Sequence, residues 1–195
     1  ALNTTWAIAT LLLIMGSIYY PAAAAVSKQN LSFSEATLDG LYFINKTRPA
    51  EYSAIEYLRR NARKDTVLIE AVGEWFDAAL ISRSTGIPTV FNWPGHQVQW
   101  RGFNLNQGHC ADTKIVLQKI GSEELKCRNQ VVTHIYQTLN ELEAYDLLIT
   151  YQVEYVYIGP REREKYGVSG LSKFDNFMLK VFTEDDVVIY QMPQS

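Results

Sequence analysis

The chain divides into two regions of very different polarity. No residue from Ala1 to Ser27 is charged, so that all 18 Lys and Arg residues and all 21 Asp and Glu residues lie from Lys28 onward. The stretch Thr5–Val26 is mostly apolar. As a helix with a rise of about 1.5 Å per residue, it would extend roughly 33 Å, enough for a hydrocarbon core of about 30 Å. We therefore expect one transmembrane helix within residues 1–28, followed by a soluble domain over residues 29–195.

Two features of this segment qualify that expectation. Pro21 predicts that the regular helix ends or kinks near Tyr20, which would place the tyrosines at the membrane–water interface. The small residues Ala22–Ala25 would suit cleavage of a signal peptide, but a signal also needs a positive stretch before the apolar one, and none is present. A soluble core helix is the third alternative. Because the chain starts at Ala1, we expect a processed protein or a piece of a larger one.

The region after Lys28 alternates between strand-like and helical patterns. Runs of β-branched and apolar residues predict strands at Thr66–Val72, Thr89–Asn92, Val153–Ile158, Phe177–Phe182 and Val187–Met192. Apolar residues at helical spacing predict helices beginning at Pro49 and covering Asp77–Thr85, Asn129–Tyr136 and Glu141–Thr150. The segment Leu38–Ile44 is typical of a short strand or an ordered approach to the domain. Together these predict an α/β domain with a mixed, mostly parallel sheet covered by helices and a C-terminal antiparallel hairpin.

Composition and motifs exclude only a few classes of function. The net charge of −3 gives no electrostatic support for nucleic-acid binding. The sequence has no glycine-rich phosphate loop, no Gly-x-Ser-x-Gly motif and no paired histidines for zinc, so we expect no cofactor and no metal. Cys110 and Cys127 are either a disulfide or two free thiols. For the segment from His96 to Arg128, the sequence predicts only a long surface loop with a short helix near Thr113–Lys119.

Candidate chemistry lies at the predicted strand ends. In open α/β sheets, ligands bind at the loops that follow the carboxyl ends of the strands, and parallel strands bring these loops to one edge. Three such loops supply the ligand-binding candidates, which are Glu70, Glu74 and Trp75, then Trp93, His96, Gln99, Trp100 and Arg101, and finally Arg161 and Glu162.

Each candidate also has a purely structural interpretation. A buried Glu70 needs a partner, and an ion pair with Arg101 or Arg161 would supply one. The tryptophans would anchor their loop to the domain, or form a stacking platform for a sugar or lipid. His96 would be a hydrogen-bonded loop residue, a base or a ligand contact. Arg161 and Glu162 would be solvated charges on a polar turn.

Several phrases of the sequence resemble a known family. They are Thr37–Gly40, Asp65–Gly73, Ser82–Thr89, Trp93–His96 with Trp100–Gly102, and Tyr155–Pro160 with Glu162, Arg163 and Tyr166. In this order, after Tyr19-Tyr20-Pro21, they resemble the C-terminal part of the "YYY" family of very hydrophobic multi-pass membrane proteins. The segment Ala111–Lys126 departs from that pattern.

This resemblance implies a relationship to membrane glycosyltransferases of the C-type fold, which use lipid-phosphate sugar donors. Their catalytic acidic residue lies in the N-terminal membrane bundle, so no catalytic residue is carried over to this chain. The resemblance implies an extracytoplasmic domain at the cell membrane, with an acceptor-binding or cavity-closing role. Its partners would be the membrane, that bundle and a glycan or lipid-linked sugar. The alternative is a non-enzymatic binding or structural module anchored by one helix. Lys28 alone weakly favours the opposite orientation.

Overall fold

The computed structural model describes residues 2–28, 37–74, 78–101 and 128–193 of the chain, with the backbone alone at Leu2, Val98 and Arg101. These residues form two compact units, which cover residues 1–42 and 43–195. The predicted helix near Thr113–Lys119, both cysteines and Trp75 lie outside the described residues.

The first unit contains one long helix, α1, over Leu2–Lys28. Within it, Asn3–Ser27 is long and apolar enough to cross a membrane, a test that a signal sequence near the N-terminus also passes. Of the two predicted outcomes at Tyr20, an end or a kink, the end is wrong, because the helix continues through Pro21. A proline removes one backbone hydrogen bond, and the alanines that follow have the highest helix propensity of any residue type.

The approach to the second unit is helical rather than extended. The Asp39 side chain accepts a hydrogen bond from the Leu41 N–H at 2.9 Å, which makes a tight turn. Helix α2 follows over Tyr42–Thr47. Of the two alternatives for Leu38–Ile44, a short strand or an ordered approach segment, the strand is therefore wrong, because the Asp39 turn precedes a helix start.

In the described part of the second unit, the sheet has four strands in the order β1-β2-β4-β3. Their bounds are Val67–Ile69 for β1, Val153–Ile158 for β2, Leu179–Glu184 for β3 and Val187–Gln191 for β4. Strands β1 and β2 are parallel, while β2 with β4 and β3 with β4 are antiparallel.

The antiparallel C-terminal hairpin is confirmed, but the mostly parallel sheet is not. Two facts explain the difference. The predicted strand Thr89–Asn92 makes only a single parallel bridge, between Leu68 and Thr89. The hairpin inserts β4 directly beside β2, so most strand pairs are antiparallel. The sheet is mixed.

Helices cover both faces of this sheet. Their bounds are Pro49–Asn61 for α3, Leu80–Thr85 for α4, Pro94–Arg101 for α5, Arg128–Gln137 for α6, Glu141–Thr150 for α7, Pro160–Tyr166 for α8 and Phe174–Phe177 for α9. Val156 and Ile158 of β2 pack with α6 and α7 in the main hydrophobic cluster. On the other face, Tyr157 of β2 reaches Glu51 of α3. Alternate residues of one strand therefore enter two layers.

Helix α7 is apolar on two sides. Ala144, Leu147 and Leu148 are completely buried, whereas Leu142 is 75% exposed and Ile149 is 50% exposed. The inward face is set by the 144, 147, 148 spacing, which follows the helical period.

Candidate functional site

Three loops leave the sheet at the same edge, as predicted. The parallel pairing of β1 with β2, and the parallel bridge from Leu68 to Thr89, point all three segments the same way. We call the surface formed by residues 70–74, 92–96 and 159–162 the strand-end edge.

The first loop is held by the side chain of Asn92. Its amide nitrogen donates to the Ala71 carbonyl oxygen at 3.2 Å, and its amide oxygen accepts from the N–H of Gly73 at 3.2 Å and of Trp93 at 2.9 Å. Asn92 is only 7% exposed. One buried amide therefore satisfies main-chain groups of two loops at once.

Three side chains of α8 hold the same loop from the other side. The Glu162 carboxylate accepts from the Ala71 N–H at 2.6 Å and from the Gly159 N–H at 2.8 Å. The Tyr166 hydroxyl accepts from the Val72 N–H at 3.1 Å. Lys165 also donates to the Val72 carbonyl oxygen. The loop after β1 thus takes its hydrogen bonds largely from side chains rather than from a neighbouring strand.

Glu70 is buried at 2% exposure, and two backbone N–H groups are its hydrogen-bond partners. Its two carboxylate oxygens accept from the backbone N–H groups of Ile81 and Ser82, both at 2.9 Å. These lie in the first turn of α4, whose cap residue Ala79 makes no side-chain cap. Burial raises the pKa of Glu70, against the lowering effect of these hydrogen bonds and of the Arg83 charge.

A helix start thus supplies two N–H donors and a favourable dipole for the Glu70 charge. The ion pair of Glu70 with Arg101 or Arg161 stays a prediction. The Arg101 side chain lies outside the described atoms. The Arg161 guanidinium lies beside the first loop, where a Cβ on Gly73 would be 3.3 Å from its Nη2 atom. A side chain at Gly73 would therefore crowd Arg161.

The second loop carries the aromatic candidates. Glu74 accepts from the Gly95 N–H at 2.5 Å and so closes the first turn of α5. The Trp93 indole N–H donates to the Ala78 carbonyl oxygen at 3.2 Å. The rings of Trp93 and His96 meet edge to face, with centroids 5.4 Å apart. Trp93 is therefore an anchored side chain that also borders the surface.

The last candidates on α5 point to solvent. Trp100 is 78% exposed, and Gln99 is exposed beside it. The structure thus brings Glu70, Glu74, Trp93, His96, Arg161 and Glu162 to one edge, and extends that edge along α5 through Gln99 and Trp100.

Glu162 is a second buried carboxyl group of this edge with a raised pKa. It is 2% exposed, and burial raises its pKa to about 7, against the lowering effect of the Ala71 and Gly159 hydrogen bonds. The neighbouring Glu70 charge adds to the rise. Its predicted alternative, a solvated charge on a polar turn, is therefore wrong, because helix α8 turns Glu162 inward.

Sequence reasoning missed three of the residues that build this edge: Asn92, Lys165 and Tyr166. Two signals would have found Asn92 and Tyr166. Asn92 is the polar residue that ends a predicted strand, and Tyr166 lies four residues after Glu162, on the same face of a helix. Tyr166 also stacks on Tyr136, with ring centroids 4.6 Å apart.

The arrangement is suited to binding more than to bond breaking. Both buried carboxylates are occupied by backbone donors. Among the described residues, no group of three or more His, Cys, Asp or Glu side chains could hold a metal ion. What faces outward is aromatic and amide surface on α5. Comparison with protein-family models, with curated proteins and with solved structures found no match for this chain.

Proposed function

We propose that this chain is the extracytoplasmic C-terminal domain of a multi-pass membrane glycosyltransferase that uses lipid-phosphate sugar donors. In this proposal the strand-end edge, extended by α5, binds the acceptor or closes the cavity over the active site. The observation that carries it is the surface of α5. This helix joins the half-buried Trp93–His96 pair to an exposed Trp100 at the edge where α/β sheets bind ligands.

The state of the carboxylates supports binding over catalysis. A general acid or base must come within hydrogen-bonding reach of its substrate. Glu70 and Glu162 are each 2% exposed and already accept two backbone hydrogen bonds. Neither is therefore available to a sugar without rearrangement of the loops that it holds.

The aromatic groups support a flat ligand with both apolar and hydroxylated parts. A tryptophan offers a large apolar face, and its indole N–H needs a partner when buried. Trp93 has that partner in the Ala78 carbonyl oxygen, while Trp100 keeps its surface open. Gln99 adds an exposed amide that can donate to and accept from hydroxyl groups.

Calorimetric titration of the whole chain in detergent micelles tests the binding role. Oligosaccharides of glucose, mannose and N-acetylglucosamine serve as probes. We expect Trp100→Ala and His96→Ala to weaken binding by tenfold or more and to leave the melting temperature nearly unchanged. The matched controls are Trp6→Ala, in α1, and His134→Ala, which removes the partner of Glu143. Equal binding by all four variants would remove Trp100 and His96 from the site.

The location of the chemistry has its own test. Incubated with a polyprenyl-phosphate sugar, this chain alone should transfer no sugar and hydrolyse no glycoside. In the full multi-pass protein, the Trp100→Ala and His96→Ala variants should lower transfer. Turnover by the isolated chain would show that the chemistry does not lie in the membrane bundle.

A second candidate is a non-enzymatic module that binds a ligand or stabilises a membrane assembly. It is favoured by how completely side chains satisfy the backbone of the strand-end edge, which suits a rigid support. Under this alternative, the full protein shows no sugar transfer, and the α5 variants change assembly rather than activity.

A further inference from the structure

One carboxylate joins the exits of two parallel strands. Glu162 is the third residue of α8, and its Oε2 atom closes the start of its own helix by accepting from the Gly159 N–H. Its Oε1 atom accepts from the Ala71 N–H, beyond the end of β1. The loop after β1 is therefore attached to the loop after β2 through a single side chain, which is buried from solvent.

The two hydrogen bonds require the ionised form. A carboxylate accepts at both oxygens, whereas a protonated carboxyl group has one hydroxyl that donates and accepts poorly. Burial instead favours the protonated form, because removing a charge from water is costly. Burial outweighs the hydrogen bonds and raises the pKa of Glu162 from the reference value of 4.5 to about 7.

We propose that Glu162 is a proton-operated latch: as a carboxylate it fixes the Ala71 amide to α8, and on taking up one proton it releases that amide while staying buried. The side chains of Asn92, Lys165 and Tyr166 go on holding the rest of the loop. An effect of the latch on ligand binding rests on the function proposed above for the strand-end edge. The latch itself does not, since both of its contacts are internal to the domain.

Charged and titratable groups surround the latch on several elements. Those in electrostatic contact with Glu162 are Glu70 after β1, Tyr157 on β2, Tyr136 on α6, and Lys165 and Tyr166 on α8. Arg161 lies next to Lys165 and lowers the pKa of that lysine, although burial lowers it more. Burial raises the pKa of each tyrosine, so these remain neutral near pH 7, and Glu70 is the neighbour most able to titrate with Glu162.

The latch and the stability of the domain should respond oppositely to pH. The folded pKa of about 7 exceeds the reference value of 4.5, so the folded state binds the extra proton between these values. The Glu162 contribution to the free energy of unfolding therefore falls as pH rises through this window. The loop, in contrast, becomes tighter over the same range. A loop that merely followed global stability would loosen with rising pH.

Hydrogen exchange on the whole chain in detergent micelles tests the latch without any ligand. After correction for intrinsic exchange, we expect protection of the Ala71 amide to rise about tenfold between pH 5.5 and 8.5, with a midpoint near 7. This is the size of change expected when a charge-assisted hydrogen bond replaces a neutral one. The Val156 amide, in the centre of β2, serves as the internal reference.

Two variants test whether Glu162 causes the pH dependence of Ala71 protection. Glu162→Gln should remove the pH dependence and leave Ala71 weakly protected, whereas Glu74→Gln, at an exposed carboxylate that accepts from Gly95, should retain it. If Glu162→Gln fails to fold, infrared spectroscopy of the unaltered chain with 13C-labelled glutamate should show a protonated carboxyl band that disappears near pH 7. Flat protection of Ala71, an unchanged midpoint in Glu162→Gln, or full ionisation of all glutamates above pH 5.5 would each overturn the latch.

Discussion

At the scale of single residues, two glutamates of the strand-end edge cap the starts of helices. In most helices a residue at the helix start has this role. Glu70 closes the first turn of α4, and Glu74 closes the first turn of α5, although each lies well before its helix in sequence. Ala79, the residue at the α4 cap position, has a left-handed backbone with φ of 59° and offers no side-chain oxygen. The helix starts here are therefore fixed by residues on the neighbouring strand end.

Replacing Glu70 should show this role directly. In Glu70→Gln, one oxygen that accepted from α4 becomes an NH2 group facing a backbone N–H. We expect a loss of about 1–3 kcal/mol in the free energy of unfolding, the cost of leaving a buried donor unsatisfied. The measurement is chemical denaturation at pH 8.

Glu56→Gln is the matched control, since Glu56 forms ion pairs with Arg59 and Arg60 at the surface of α3. Surface pairs of this kind contribute about 0–1 kcal/mol. An equal effect of the two substitutions would mean that Glu70 does not support α4.

The sequence was informative about Glu70 up to its choice of partner. A glutamate within an apolar run predicts a buried carboxylate that needs compensation, and burial is confirmed. The partner was not predictable, because it depends on where α4 begins. That start follows a residue with positive φ that is not glycine, a conformation with no clear sequence signal.

At the scale of secondary structure, the apolar pattern predicted which helices and strands form better than it predicted which strands pair. The strand Val153–Ile158 and the helix Glu141–Thr150 have the predicted bounds. The direction of pairing was harder to predict. The run Thr89–Asn92 has the composition of a strand. Its Asn92 side chain, however, hydrogen-bonds to backbone groups of the neighbouring loop, and the run forms only one β-bridge.

Helix α7 offers a clean comparison between its two apolar sides. Leu147→Ala removes a completely buried side chain, and we expect a loss of about 2–5 kcal/mol in the free energy of unfolding. Leu142→Ala, in the same helix and 75% exposed, should change it by no more than about 0.5 kcal/mol. Thermal denaturation of both variants checks the orientation of the helix, and a larger loss at Leu142 would reverse it.

At the scale of the whole molecule, charge predicts a boundary at Lys28, whereas the two compact units meet at residues 42 and 43. The uncharged N-terminal stretch is a single long helix, and the strands of the described residues all lie in the second unit. The main core cluster is also drawn entirely from that unit. The second unit therefore has its own sheet and its own core.

This organisation predicts the result of truncation. Deleting residues 1–27 should leave a soluble domain that unfolds cooperatively, because no residue of that segment contributes to the core cluster. Near-ultraviolet circular dichroism and thermal denaturation are the measurements. Aggregation, or a near-ultraviolet spectrum without structure, would show that the apolar segment belongs to the folded core.

The pairing of β1 with β2 also has a consequence for how the protein is made. Val67 pairs with Val153, so a strand that leaves the ribosome early must wait for its neighbour. At roughly 5–20 residues per second, that delay lasts several seconds. During translation, the nascent chain carries an apolar strand whose principal neighbour does not yet exist. Slow translation or a shortage of chaperones should therefore reduce the yield of folded protein more than it would for a domain built from local contacts.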